Sequence, residues 1–390
     1  MRILYFAFVE LDIPNACQVH TLGVLRGFSH LGCRVDALLP RSLVVRPEIP
    51  NVRFFYLWPW QFSALGKMWI KISGCLLFSL LCLFNNYDAI YVRELEMNPF
   101  PRWCARVFRI PLYMEINSIL IQNIQTTRRN RNRLTKIQKS QIADFLQAKG
   151  LIVPSYPRSR WIKEHYGLNS AKVHLLLNGV DICTQKKLDR SETLREMNLP
   201  EDAFYLGFLG TAWKNYDLMS ILAALESCKK YIDKLYLLFI GGGPDLKMML
   251  NIASIKKISS NIIVLGYIQP EYLYKVIGAI DVGLMILTKQ GLEDLGPITT
   301  RFATYAAFQI PVIANDIYLE HYPGKLVQGL SVVPPEDPKA LADTICWLYN
   351  HPEERESNAG VLYDYVVNNL TWVSVTQQIL NIINHDKNFG

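Results

Sequence analysis

The eight cysteines of this 390-residue chain include no Cys-x-x-Cys pair, so they outline neither a zinc site nor a redox motif. A chain of this length builds its core without disulfide staples, and its thiols are expected to be reduced and buried. No apolar run approaches the roughly 20 residues that a membrane-spanning helix needs. The run at 74–84 (GCLLFSLLCLF) covers eleven residues with Lys71 upstream, and it reads as a buried or interfacial helix. The N-terminal run MRILYFAFV gives way to Glu10 and Asp12, which points to a first strand rather than a secretory leader. There is no H-E-x-x-H, no G-x-S-x-G and no glycine loop ending in GK[ST]. Zinc peptidase, serine hydrolase and P-loop chemistry therefore have no motif behind them. Internal repeats and low-complexity tracts are also missing.

What the chain does have is apolar residues in short, regularly spaced runs. Half of its residues are apolar and 19% are charged, as in folded globular proteins. Its length suffices for two domains. Five runs between residues 204 and 316 (FYLGFL, LYLLFI, IIVLG, DVGLMIL, PVIAN) alternate with helical segments. Each run is continuously hydrophobic, as strands of a parallel sheet covered on both faces require. The first half repeats the logic, with strands expected at 2–8, 34–39, 53–57, 88–93, 111–116, 150–154 and 172–177. Helices are expected between them at 16–31, 67–84, 99–108, 134–147 and 159–166. The expected fold class is α/β, with two doubly wound Rossmann-like domains facing across a cleft. A polar stretch at 182–200 sets the boundary, giving domains 1–188 and 189–365. An amphipathic closing helix in 366–390 is expected to pack back toward the first domain.

The net charge of +7 conceals a division. Residues 1–190 hold 26 Lys and Arg against 12 Asp and Glu, whereas residues 191–390 hold 15 against 22. A basic half and an acidic half suit different partners.

Open α/β sheets bind ligands beyond the carboxyl ends of their strands, so residues just after strands are the candidates. Gly296 and Pro297 precede ITTRFATYAAFQ. Proline favours the first helical position, which predicts a helix start there with N–H groups and a dipole suited to a diphosphate. Arg301 is within reach of the same anion; the alternative is an ordinary helix start with an exposed arginine. Gly210 and Lys214 bracket a loop after the strand FYLGFL. A lysine there either neutralises phosphate or is simply solvated. Gly241, Gly242 and Gly243 read as a tight strand-to-helix turn. In the first half, His20 lies near the start of the first helix, and Arg93, Glu115 and Asn117 stand at strand ends. Together they suit proton transfer or hydroxyl binding; singly, each is also an ordinary cap or surface charge.

The ordered series LLLNGVD (175–181), GFLG…K, FIGGGP, VLGYI and TYAAFQIPVIAND resembles the GT-B glycosyltransferases of family 4, the group 1 type. RILYFAF, FSHLGCRVDALLP, YDAIYVR, LYMEINS and GLIVPS are similar to that family's N-terminal strands and turns. The likeness spans nearly the whole chain. It implies a metal-independent hexosyltransferase with no cofactor, taking a sugar from a nucleotide-diphosphate donor with retention of configuration. The implied acceptor is a glycan or lipid-linked glycan in cell-surface polysaccharide synthesis. By position, Gly210, Lys214, Gly296, Pro297 and Arg301 would face the donor diphosphate, and Gly266, Tyr267 and Ile268 the nucleobase. His20, Arg93, Glu115 and Asn117 would line the acceptor side. The implied catalytic set is Glu115, His20, Lys214 and Arg301. The family's paired glutamates fall on Gly296 and Thr304 here, so the chain is a divergent member. Thr304 would meet the donor ribose in place of a carboxylate. That departure keeps a second reading open, a non-catalytic nucleotide-sugar or glycan-binding partner of another transferase. A sugar-phosphate epimerase of the same architecture is the third.

Arg128, Arg129, Arg131, Arg133, Lys136 and Lys139 form the densest positive cluster. Each basic residue near an anionic bilayer contributes about 1 kcal/mol. The tract therefore predicts reversible docking of a cytoplasmic, peripheral protein on the inner membrane face, with a solvated loop as the alternative. It has no interleaved aromatics and fits no recognised module, so nucleic acid is not expected as a partner.

Overall fold

The computed structural model describes residues 1–12, 16–42, 44–57, 64–93, 99–117, 131–182, 189–269 and 272–388; at 64–71, 131–137 and 386–388 it describes only the backbone. Arg128 and Arg129, and the side chains of Arg131, Arg133 and Lys136, lie outside the described residues; of the basic tract only Lys139 is described in full. Two compact units are present. Residues 1–154, 158–179 and 372–390 form the first, and residues 155–157 and 180–371 the second. The chain leaves the first unit after Gly179 rather than at 188, and residues 366–371 stay with the second.

The first unit is built on seven parallel strands: β1 (Arg2–Phe6), β2 (Arg34–Pro40), β3 (Val52–Leu57), β4 (Ala89–Arg93), β5 (Leu112–Glu115), β6 (Gly150–Val153) and β7 (Val173–Leu175). Their order is β3-β2-β1-β4-β5-β6-β7. The winding reverses between β1 and β4, which opens a crevice at the carboxyl ends of the central strands. The helices Ala64–Phe84, Phe100–Val107 and Arg131–Gln147 cover one face through Phe78, Leu81, Phe100, Cys104 and Phe145. Right-handed crossovers put α1 (Ala16–His30) on the other face.

The closing helix Trp372–Asn388 runs along α1. Glycine makes that contact possible. A Cβ on Gly23 would overlap the Trp372 ring, and one on Gly27 would overlap Thr376. On Gly179 a Cβ would lie 2.5 Å from the same indole. Trp372 thus fills a slot between two segments of the first unit. Gly23→Val is expected to cost about 1–3 kcal/mol by overpacking, read as a lower urea midpoint. An unchanged midpoint would show that the slot is not tight.

The second unit has six parallel strands: β8 (Phe204–Leu209), β9 (Leu235–Ile240), β10 (Ile262–Gly266), β11 (Val282–Met285), β12 (Val312–Asn315) and β13 (Leu330–Val333). They are ordered β10-β9-β8-β11-β12-β13, with the reversal between β8 and β11. Five are the apolar runs of the sequence. The sixth, β13, is an addition: a four-residue edge strand in which Ser331 and exposed Val332 interrupt the apolar signal.

Gly296 and Pro297 correct one expectation. They end a helix instead of starting one. Gly296, at φ 78°, caps Lys289–Leu295, and its N–H donates to Leu292 O at 2.9 Å. The next helix, Thr300–Ala307, starts after an extended Thr299. Gly-Pro marks helix stops as well as starts, and here the stop prevails.

Candidate functional site

In the second unit, the carboxyl end of β8 runs into Gly210 at φ 113°, a region that glycine enters without strain. A Cβ on Gly241 would overlap the Gly210 carbonyl, so the ends of β8 and β9 meet backbone to backbone. Tyr267, 74% exposed, lays its ring against Gly242, where a Cβ would come within 2.7 Å of it. Gly241 and Gly242 therefore do more than turn the chain. They bring Gly210 and Tyr267 to one corner, with Gly266 at φ 71° and half-buried Ile268 on either side of Tyr267.

Arg301 reaches the same corner as the second residue of its helix. Its Nη2 would lie 2.8 Å from a Cβ placed on Gly210. The side chain is only 8% exposed, and its guanidinium carbon sits 4.2 Å from the ring centroids of both Phe208 and Tyr216. Nη1 is buried without a hydrogen-bond partner among the described residues, and Arg301 forms no ion pair there. Burying an unpaired cation is costly. Two aromatic faces offset part of that cost; an anion would supply the rest. Tyr305 fixes the helix to the sheet, donating to Gly207 O at 2.7 Å and accepting from Leu209 N at 3.0 Å. Asn315, at the end of β12, accepts from Leu287 N at 2.8 Å, and its Nδ2 is buried without a partner among the described residues.

The remaining candidates of this unit are arranged differently. Lys214 is exposed in its loop, which Gly291 supports by close approach to the Asn215 carbonyl. Thr304 donates its hydroxyl to Thr300 O at 3.2 Å, one turn back in its own helix. Gly296 and Pro297 are buried, Gly296 against Tyr322 and Pro157. They serve packing around the Ser155–Pro157 segment.

In the first unit, three candidates converge on the carboxylate of the fourth, Glu115. Glu115, 3% exposed, ends β5 and lies in register with Arg93 at the end of β4. His20 Nε2 is 3.1 Å from its Oε1, and Arg93 Nη1 is 3.7 Å from the same atom. Asn117 Nδ2 donates to Oε1, and the Tyr91 hydroxyl donates to Oε2 at 3.1 Å. The edge of the Trp372 indole meets the His20 ring, centroids 4.8 Å apart. Among the described residues no group of three or more His, Cys, Asp or Glu is placed to hold a metal ion.

Charge states follow from burial and neighbours. Burial pulls His20 down to about 4, against the pull of Glu115 and with a further push from Arg93. Burial alone would raise Glu115, but His20, Arg93, Asn117 and Tyr91 together hold it below the usual carboxylate range. At neutral pH the cluster is an ionised Glu115 beside charged Arg93, with neutral His20 donating Nε2–H. A histidine whose folded pKa lies below its unfolded value is protonated first in the unfolded chain. Its share of stability is complete above about 6.5 and is lost as the pH falls toward about 4. Glu115 adds acid lability lower still. We expect a urea midpoint that declines over this window, by about 3 kcal/mol at most, and a flatter profile in His20→Gln. Identical profiles would take His20 out of the linkage.

Tyr91, Phe208, Tyr216, Tyr305 and Trp372 were not among the sequence candidates. The available signal was a tyrosine inside a strand or helix where an aliphatic residue would pack as well.

Residues 203–351 match the family described as Glycosyl transferases group 1. Three solved structures share the architecture along the whole chain. HepE from Anabaena, in complex with UDP, has 14% identity and a TM-score of 0.73, covering 99% of this chain and 100% of its own. Sucrose-phosphate synthase from Thermosynechococcus elongatus has 14% identity and a TM-score of 0.74, covering 100% of both chains. WaaG, a glycosyltransferase involved in lipopolysaccharide biosynthesis, has 12% identity and a TM-score of 0.69, covering 97% of this chain and 99% of its own. No curated protein matches in sequence. The chain has the GT-B fold.

Proposed function

We propose, from the place of residues 203–351 among the group 1 glycosyl transferases, that this GT-B chain moves a sugar from a nucleotide-diphosphate donor to an acceptor hydroxyl. The observation that carries the reading is Arg301: buried, set against two rings beside Gly210, with Nη1 unpartnered among the described residues. A diphosphate brings the negative charge and the paired oxygens that a guanidinium fork accepts. The N–H groups of Thr300 and Arg301, at the start of their helix, would add donors. Lys214 would contribute as a point charge, and Tyr267 would offer its exposed face to the base. HepE, which has been solved with UDP and with UDP-glucose, suggests uridine diphosphate as the first probe.

Breaking the sugar–phosphate bond builds charge on the leaving diphosphate. Fixed donors in a dry corner stabilise that charge without reorganising. On the acceptor side, Glu115 already takes hydrogen bonds and charge from four neighbours, which makes it a weak base. We assign it as a positioning residue that orients His20 and Arg93, with His20 and Asn117 meeting the acceptor hydroxyls. Retention of configuration, chemistry without a resident metal or cofactor, and a glycan or lipid-linked acceptor in cell-surface polysaccharide synthesis complete the proposal.

The second reading, a non-catalytic nucleotide-sugar-binding partner, is favoured by Thr304, whose hydroxyl is committed to its own helix. Calorimetric titration with UDP, beside nucleotide release from a panel of donor sugars with and without lipid-linked glycan, separates the two. Transfer predicts saturable UDP binding and acceptor-dependent release. Binding without release under any donor would favour the second reading, and absence of nucleoside diphosphate binding would remove both.

A further inference from the structure

We propose that the outer face of the helices Ala64–Phe84, Phe100–Val107 and Arg131–Gln147 docks the protein on an anionic lipid bilayer, lying in the headgroup layer. The face is a continuous helical layer. The Ser79 hydroxyl and the Cys104 thiol join the first two helices at 3.4 Å. Arg102 pairs with Asp144 at 2.9 Å, and Gln147 Nε2 donates to Arg102 O at 2.8 Å, joining the second to the third. Inward, these helices fill the core of the first unit. Outward, Ile72, Leu76, Leu80 and Phe84 recur every four residues, and Trp103 and Val107 repeat that spacing on the neighbouring helix. These six side chains are 41 to 76% exposed.

Four-residue spacing puts the residues of each helix on one stripe. Leaving such a stripe in water forgoes the gain of burying it, and exposed apolar stripes on adjoining helices mark an interaction surface.

Charge selects the partner. Arg106, Arg109, Lys139 and Lys149 stand exposed on or beside these helices. Among the described residues between 64 and 163, the carboxylates are Asp88, Glu115 and Asp144, and none is exposed. An apolar stripe flanked by cations and without an exposed anion is complementary to a bilayer with negative headgroups. Aromatic and aliphatic side chains enter the acyl boundary while lysines and arginines stay at the phosphates. Among the described residues no helix is long and apolar enough to cross a membrane, so the contact is with the surface. Apart from Lys139, these residues are distinct from the basic tract at 128–139, and they stand independently of the sugar-transfer reading.

The test uses the full chain and two kinds of vesicle, phosphatidylcholine alone and an equal mixture with phosphatidylglycerol, compared by cosedimentation at low and high salt. The expected result is at least tenfold tighter binding to the mixed vesicles, weakened by salt. The combined variant Leu76→Ser, Phe84→Ser, Trp103→Ser should lose at least tenfold of that affinity with an unchanged melt, since all three side chains are exposed. Arg106→Gln with Arg109→Gln should reduce the preference for anionic lipid. Equal binding to both vesicles, or full binding by the triple variant, would overturn the proposal. So would a wild-type dimer that ignores lipid and becomes monomeric in the triple variant, which would assign the face to a second copy. UDP affinity measured on the same samples distinguishes failure of this surface from failure of the transferase reading.

Discussion

Arg301→Met is expected to lower nucleoside diphosphate affinity by about 10²-fold while leaving the unliganded protein at least as stable as before. Charge-assisted hydrogen bonds contribute about 1.5–3 kcal/mol each, and losing a bidentate pair accounts for a change of that size. The stability forecast has the opposite sign to most buried substitutions. Arg301 holds its charge at 8% exposure with Nη1 unpartnered among the described residues, so without ligand it carries a desolvation cost that no described residue fully offsets. Methionine keeps the length and packs its sulfur against Phe208 and Tyr216, giving up two cation–π contacts of about 1–2 kcal/mol. A thermal melt with and without UDP reads both effects. The wild type should gain stability from the ligand by mass action, and the variant should gain almost none. An unchanged dissociation constant would remove Arg301 from the anion site.

Glu115→Gln should do the reverse, harming stability first. The carboxylate faces Arg93 and His20 inside the first unit, and its loss leaves the Arg93 cation buried with no opposite charge within ion-pair distance among the described residues. Breaking a buried pair from one side costs about 3–5 kcal/mol. His20, deprived of the neighbouring negative charge, should move still lower in pKa, because the pull of Glu115 is what opposes its burial. If the cluster receives the acceptor, turnover per folded molecule should also fall about 10²-fold, with UDP affinity near wild type because Arg301 lies in the other unit. Glu115→Asp, which keeps the charge, should recover part of the turnover. A Gln variant that melts early but transfers sugar at the full rate per folded molecule would confine Glu115 to architecture.

The strands were legible because parallel strands covered on both faces are written as unbroken apolar runs. β13 was not, since an edge strand of four residues with Ser331 inside it carries no such run. The cluster around Glu115 could be anticipated for a related reason. Strand ends at β4 and β5 lie side by side in any sheet of this winding, so Arg93 and Glu115 had to meet if the strands were right. Arg301 was singled out through a helix start expected at Pro297, which the structure moves to Thr300. What selects Arg301 is its seat between Phe208 and Tyr216, residues far from it in sequence. No local pattern announces that pairing. Tyr305 escaped notice likewise, because its hydroxyl works on β8, a strand that neighbours it only in space.

The slot that Trp372 fills has a consequence for biosynthesis. Gly23, Gly27 and Gly179 leave the ribosome long before the indole and Thr376 that pack on them, with residues 180–371 translated in between. The nascent first unit must therefore wait with α1 uncovered while the second unit is made and folds. That interval, when a glycine-lined apolar groove faces solvent, is where chaperone dependence and aggregation of this chain should concentrate. A truncated 1–179 fragment would be held at that stage permanently.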